Sequence, residues 1–211
     1  MIKYQCERNK NGSDIMNYKK QIENYLKESS GIITTSYCRN NNIPTVYLSR
    51  LVAEGKLINV EKGLYITEEG NYDEFYFFQY RFKKTVFSYE TALFLLGLTD
   101  KIPEIIDVTT YNSYKFNSVP EKVNIYYVNN KIYDLGIIKV KTMYGNLVRV
   151  YSYERILCDF IAHKEKMDKE VYVKLIRSYS KYEKKDIHSL YKIASEMNVE
   201  KRVKDVMEVY L

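Results

Sequence analysis

Hydrophobic residues recur at helical spacing through the first third of the chain, and two short extended runs follow them. The pattern predicts, in order, helix 18–28, helix 35–41, helix 44–54, strand 56–60 and strand 64–67. Thr34 or Thr35 is suited to cap the second helix, and Pro44 suits the first turn of the third. Lys62-Gly63 is typical of a hairpin turn between the two strands.

The rest of the chain begins with an aromatic segment and continues as strands and then helices. Phe75, Phe78 and Phe82 share one face of a linker helix predicted over 68–84. The pattern then predicts helix 89–96, strands 105–110, 122–128, 136–143 and 147–151, and helices 153–164, 168–180, 186–197 and 199–210.

These elements predict an α+β fold with four parts. The parts are a flexible leader over 1–16, a helical and hairpin domain over 17–67, the aromatic linker helix over 68–84, and a C-terminal mixed α/β domain over 85–211. The C-terminal domain is strand-rich to about residue 151 and ends in a helical bundle.

Composition narrows the class of protein. With 45% hydrophobic and 28% charged residues, the 211-residue chain can bury a core, which excludes disorder over most of its length. No apolar run approaches the roughly 20 residues that a membrane helix needs. The three cysteines are scattered and odd in number, which argues against a disulfide framework. We therefore expect a cytoplasmic protein with reduced thiols and no membrane contact.

Net charge permits an anionic partner without locating its binding site. The formal charge of +6 suggests nucleic acid as a partner. However, residues 1–70, 71–150 and 151–211 each carry an excess of two cations. Only a local pattern of residues can therefore indicate where an anion binds.

The helix predicted over 44–54 has the two-faced pattern of a DNA-recognition helix. At about 100° per residue, one side carries Leu48, Leu51 and Val52. The opposite side carries small or polar residues around one arginine, namely Val46, Ser49, Arg50 and Ala53. Small residues allow close approach to base edges, and arginine bonds guanine or a phosphate. Residues 17–67 therefore have the layout of a winged helix-turn-helix domain.

The candidate DNA-binding residues come from the helix starts, the third helix and the hairpin. They are Thr34, Thr35, Thr45, Tyr47, Ser49, Arg50, Lys56 and Lys62. Thr34 and Thr35, with nearby amides, are suited to hold a phosphate. Lys62 lies at the predicted hairpin tip, where a wing meets the DNA backbone. Segment 31–65 carries only four cations against two carboxylates, so useful affinity requires two copies on DNA.

Two alternatives to a non-catalytic DNA-binding protein stay open on these patterns. Three short helices and a hairpin also form protein-docking modules, and Tyr47 also suits packing. The second alternative is an enzyme that the winged helix targets to DNA, with a nuclease-like C-terminal domain and Glu154, Asp159 and Lys164 as its candidate cluster. Glu154 and Asp159 are five residues apart and do not share a helix face, which argues against a paired-carboxylate site there.

Other signs of catalysis are weak. The only histidines, His163 and His188, fall in predicted helices without a nearby cysteine or histidine. The sequence contains no CxxC, HExxH or Walker-type motif. Cys158 is interpreted as a core residue between Leu157 and Phe160. We therefore expect no enzyme activity, no catalytic residues, no metal and no cofactor.

Five segments carry a resemblance to a known family. They are GIITT at 31–35, YLSRLVAEGKL at 47–57, KGLY at 62–65, SYETAL at 88–93 followed by GLTD at 97–100 and Pro103, and YSYERILCD at 151–159. In this order, and over about residues 17–165, they resemble the AbiEi family of AbiE-type antitoxins.

The resemblance implies a bacterial antitoxin that represses its own operon. Such a protein binds inverted repeats in double-stranded promoter DNA through its winged helix, which supports Thr45, Ser49, Arg50 and Lys62 as the DNA surface. A nucleotidyltransferase-like toxin is the implied partner, in a type IV system of abortive infection against phage that needs no stable complex. The C-terminal domain is implied in antitoxicity and in self-association on DNA. A stand-alone regulator with no toxin partner is the remaining alternative.

Overall fold

The computed structural model describes residues 11–118 and 121–210, with side chains described from Asn17 onward. Within these residues the chain is a mixed α+β protein with ten α-helices and two sheets. It divides into a first unit, up to residue 77 together with 143–146, and a second unit, 78–142 together with 147–211. The first ten residues of the predicted leader lie outside the described residues.

Three helices and a small sheet build the first unit. Its elements are α1 (Asn11–Glu28), β1 (Ile32–Thr34), α2 (Thr35–Asn40), α3 (Val46–Ala53), β2 (Ile58–Glu61) and β3 (Leu64–Ile66). The three strands are antiparallel in the order β1-β3-β2. The helices cover one core, whose buried members include Ile22, Ile33, Cys38, Leu48 and Leu51.

Local signals explain where these elements end. Gly31 has φ +80°, and a Cβ there would lie 2.7 Å from the backbone of Gly70, so glycine is required after α1. Two boundaries differ from the prediction. Helix α1 begins at Asn11 instead of 18, and α3 begins at Val46, so Pro44 precedes the helix rather than opening it. Strand β1 was not predicted, because three residues are too few to show a period.

The second unit combines a five-stranded sheet with helices. Its elements are the end of α4 (Glu74–Arg81), β4 (Val86–Phe87), α5 (Tyr89–Leu95), β5 (Ile106–Tyr111), β6 (Val123–Val128), α6 (Asn130–Tyr133), β7 (Ile137–Lys141), β8 (Leu147–Tyr151), α7 (Tyr153–Ala162), α8 (Lys169–Lys181), α9 (Ile187–Glu196) and α10 (Glu200–Tyr210). A 3₁₀ helix (Lys164–Lys166) follows α7.

The sheet of the second unit has the order β6-β5-β4-β8-β7. Its central strand, β4, is only two residues long, and pairs antiparallel with β5 and parallel with β8. Helix α7 packs its apolar face, including Ile156, Leu157 and Phe160, into the core of this unit. The aromatic helix predicted over 68–84 is shorter than expected, because it starts after Asp73, whose carboxylate accepts the Tyr76 N–H at 3.1 Å.

Among the helices that the structure describes, none is both long enough and apolar enough to cross a bilayer.

Candidate nucleic-acid interface

Helix α3 has the two different faces that its sequence predicted. Leu48 and Leu51 are 0% and 2% exposed and pack into the core of the first unit. Val46, Ser49 and Arg50 are exposed, Val46 to 49%. The helix ends before Gly55, which adopts φ +72° while the next amide, that of Lys56, bonds back to the Leu51 carbonyl. An eight-residue helix thus presents a free polar face from a fixed backbone.

Tyr47 connects the exposed arginine of α3 to the core. The tyrosine is 6% exposed, and its ring lies 5.5 Å from that of Tyr18 on α1. The Arg50 guanidinium carbon lies 5.2 Å from the centre of the Tyr47 ring. The structure therefore places Tyr47 beneath the exposed face, as a platform for Arg50, rather than on that face.

The threonines at the start of α2 are engaged within the unit. Thr34 is buried, and its hydroxyl accepts the Tyr37 N–H at 3.0 Å, which makes it the N-cap. The Thr35 N–H donates to the Gly63 carbonyl at 2.9 Å. The Thr35–Gly63 bond fixes the hairpin turn against α2 and engages the Thr35 amide. The Thr34 hydroxyl oxygen is buried and accepts the capping bond, and it keeps its own hydrogen to donate.

The lysines predicted to contact DNA differ in their surroundings. Lys56 lies 3.3 Å from Glu54, and that carboxylate also accepts from Lys19 at 2.7 Å. Hydrogen bonds from these two lysines lower the pKa of Glu54. Lys62 is exposed at the turn between β2 and β3, and the turn is closed by Gly63 with φ +81°. Both lysines are thus exposed, and the difference between them is the ion pair of Lys56 with Glu54.

Thr45 caps α3 without a side-chain hydrogen bond and is half-buried. In the first unit Thr45 thus precedes α3, Ser49 and Arg50 are exposed on that helix, and Lys62 is exposed on the hairpin turn. Sequence periodicity found Ser49 and Arg50, since their exposure follows from the helix itself. The packing of Tyr47, kept open as an alternative to DNA contact, is confirmed by its burial and by its ring contact with Tyr18 from a separate helix.

The three residues of the candidate nuclease cluster lie in the second unit, and each contacts different residues there. Asp159 is 2% exposed and accepts from Arg155 Nε at 3.1 Å, and the two residues of this ion pair are one helical turn apart. Burial raises the pKa of Asp159, against the opposing effect of Arg155. Glu154 instead accepts from the Tyr179 hydroxyl at 3.4 Å and from the Asp186 N–H at 3.1 Å. Lys164 lies over the Tyr172 ring. Each member therefore has a separate partner.

The histidines and cysteines also lie apart from one another. His163 Nδ1 is 3.2 Å from the Tyr89 hydroxyl, and His188 is exposed on α9. Cys158 is fully buried, as predicted, and burial raises the pKa of its thiol to about 12. In the part of the chain that the structure describes, no group of three or more histidine, cysteine, aspartate or glutamate side chains is arranged to hold a metal ion.

Comparison with protein-family models and with curated proteins finds no match for this chain.

Proposed function

We propose that the chain is a DNA-binding autorepressor and antitoxin whose first unit is a winged helix-turn-helix domain. The observation that carries the DNA-binding part is the face of α3 on which Ser49 and Arg50 are exposed while Leu48 and Leu51 are buried. A helix that is held by its apolar side and free on its polar side can enter a major groove.

The side chains on this face suit base-edge recognition. Arg50 is positioned over the Tyr47 ring, so less side-chain freedom is lost when the guanidinium bonds guanine or a phosphate. Val46 is apolar and 49% exposed at the start of the helix, where it can contact a thymine methyl group. Ser49 is small and lets the helix approach the bases closely. The face therefore combines one directional donor with close apolar contact.

The hairpin supplies the second DNA contact in this proposal. Lys62 is exposed at the turn, and the Thr35–Gly63 bond fixes that turn against α2. A cation on a turn that the same domain holds in place suits a phosphate contact, and such contacts set the orientation of a recognition helix on DNA. Because Lys56 is paired with Glu54, we assign it a smaller part in DNA binding. Since few cations are involved, two copies on an inverted repeat would supply the affinity.

The antitoxin part of the proposal is supported by the AbiEi-like order of the five sequence segments. In this proposal the cytoplasmic chain counteracts a nucleotidyltransferase-like toxin without forming a stable complex. The second unit acts in antitoxicity and in self-association on DNA. We assign no catalytic role to Glu154, Asp159 and Lys164, since separate internal contacts occupy each of them.

The DNA-binding part is tested by fluorescence anisotropy with the promoter DNA upstream of the chain's own reading frame. Arg50→Ala together with Lys62→Ala should weaken binding at least about a hundredfold, since a base contact and a phosphate contact are both lost. The matched control is Lys139→Ala with Lys141→Ala, which removes the same charge from exposed positions on β7. Equal losses in the two double variants would refute a specific α3 interface.

The antitoxin part has its own test. The reading frame next to that of the chain is expressed from an inducible promoter, with and without the chain. We expect the neighbouring product to arrest growth and the chain to relieve that arrest. When foreign promoters drive both genes, the chain with Arg50→Ala and Lys62→Ala should relieve it as well. A neighbouring product that is harmless to growth would overturn the antitoxin assignment and leave a stand-alone regulator.

A further inference from the structure

The second unit contains a cavity of about 400 Å³ that the proposed function does not use. It lies where the start of α5, strands β5 and β6 and the end of α7 meet. A volume of this size suits a small ligand or one long side chain. We propose that this cavity binds an organic cation, that is, an ammonium or guanidinium group carried by a small amine or by a basic side chain.

Three aromatic rings form one wall of the cavity. The Tyr89 ring lies 4.0 Å from that of Tyr126 and 5.5 Å from that of Phe160, measured between ring centroids. Tyr89 and Phe160 are almost fully buried, so the rings are held in place by the core. Clustered aromatic rings attract an ammonium or guanidinium group, most strongly where water is excluded. The wall therefore favours an organic cation over a neutral polar ligand.

A buried carboxylate completes the recognition site. Asp107 lines the cavity and is 6% exposed, and its Oδ1 accepts from Asn124 Nδ2 at 3.0 Å and from the Tyr126 hydroxyl at 3.4 Å. Burial raises the pKa of Asp107, although the bonds from Asn124 and Tyr126 oppose that effect. A bound cation would relieve the cost of keeping this charge in the protein interior.

The charges around the cavity distinguish a cation from an anion. Four acidic side chains line it, Glu90, Glu104, Asp107 and Asp168, against two lysines, Lys101 and Lys166. Lys101 is paired with Glu90 at 3.5 Å, so these two charges offset each other and leave three carboxylates against Lys166. The chain as a whole carries +6, so the acidic lining is a local reversal of charge. A nucleotide or another phosphate compound would face repulsion here.

Isothermal titration calorimetry of the full chain at about 0.15 M salt tests the proposal, since salt screens unspecific attraction. The probes are spermidine, L-argininamide and an acetylated, amidated Gly-Lys-Gly peptide. Inorganic phosphate, adenosine monophosphate and Mg²⁺ serve as comparison ligands. We expect saturable binding of the organic cations only. Tighter binding of spermidine would identify a free amine as the ligand, and tighter binding of the peptide would identify a protein side chain.

Paired variants locate the binding. Tyr126→Leu should weaken binding at least about fivefold through loss of the ring. Tyr127→Leu is its control, because the neighbouring residue of β6 lies on the opposite face and is 49% exposed. Asp107→Asn should weaken binding at least about tenfold through loss of the charge.

An exposed pair keeps the test independent of folding. Glu104 is exposed at the cavity, and Glu104→Gln should weaken binding by about two- to threefold. Glu121→Gln, at an exposed residue that does not line the cavity, should not. The proposal is overturned if no organic cation saturates the chain, if Mg²⁺ or the phosphate compounds bind as well, or if the variants and their controls behave alike. DNA affinity should stay unchanged in all of them, so this site and the proposed DNA interface can fail separately.

Discussion

Two arginines, one in each unit, each lie over a tyrosine ring but differ in their exposure and in their other contacts. The Arg50 guanidinium is exposed and lies 5.2 Å from the Tyr47 ring, whereas that of Arg155 is fully buried and lies 4.2 Å from the Tyr151 ring. Arg155 also donates to Asp159 and to the carbonyls of Ile132 and Leu135. The same residue pair therefore leaves one arginine available to a partner and commits the other to the fold.

The comparison shows that burial and the polar partners around the guanidinium, and not the tyrosine ring beneath it, decide the role of each arginine. Asp159, four residues later, accepts from Arg155 Nε, and the carbonyls of Ile132 and Leu135 accept from its Nη1, while Nη2 is buried without a hydrogen-bond partner among the described residues. Gly136 makes room for this packing, because a Cβ there would lie 2.8 Å from the Arg155 Cβ. Arg50 is exposed, and among the described residues its recorded contact is the Tyr47 ring beneath it.

The largest effect should come from deleting the buried arginine. Arg155→Ala leaves Asp159 as an unpaired buried charge and should reduce the free energy of unfolding by about 3–5 kcal/mol. Arg50→Ala is the matched control and should change it by less than about 0.5 kcal/mol, because the side chain is exposed. Urea unfolding followed by circular dichroism measures both. Similar values for the two variants would remove the distinction between them.

A second effect concerns the buried thiols, one in each unit. Burial raises the pKa of Cys38 to about 11 and that of Cys158 to about 12, so less thiolate forms at a given pH. At pH 8 both should react with Ellman's reagent at least about a hundredfold more slowly than an ordinary thiol, and Cys158 more slowly than Cys38. The Cys6→Ser background isolates these two thiols. Fast reaction in the native chain, without urea, would contradict their burial.

The smallest effect compares two helix starts. The Thr34 hydroxyl caps α2, so Thr34→Ala should cost about 1 kcal/mol of stability, while Thr34→Ser should retain the cap. Ser88 precedes α5, but its buried hydroxyl has no hydrogen-bond partner among the described residues. Ser88→Ala should therefore be neutral or slightly stabilising. A loss at Ser88 equal to that at Thr34 would show that both hydroxyls act as caps.

Sequence periodicity predicted most of the helices, because each has an apolar face that repeats within its own length. Helices α8, α9 and α10 begin and end within two residues of their predicted positions. The short strands β1 and β4 and the four-residue helix α6 were missed. Strands of two or three residues are defined by distant partners, as when Phe87 pairs with Val150, and a local pattern cannot show this.

The two candidate sites also differ in whether a local sequence pattern could predict them. The exposure of Ser49 and Arg50 could be predicted, because it follows from their position on an amphipathic helix. The cavity could not, because Tyr89, Asp107, Tyr126 and Phe160 come from four separate elements. Asp107 offered one weak signal, since it is a carboxylate inside an otherwise apolar and threonine-rich predicted strand.

The two-residue strand β4 has a kinetic consequence. It joins the β5–β6 pair to the β7–β8 hairpin through Phe87, which pairs with Val108 of β5 and with Val150 of β8, while Val86 pairs with Thr109 of β5. The β7–β8 hairpin closes a short loop, whereas the pairing of Phe87 with Val150 closes a long one at a greater entropic cost. We expect that closure to limit the folding rate, so Phe87→Leu should slow refolding more than it speeds unfolding in stopped-flow experiments. The shortest strand of the sheet would then set the time in which the unit assembles.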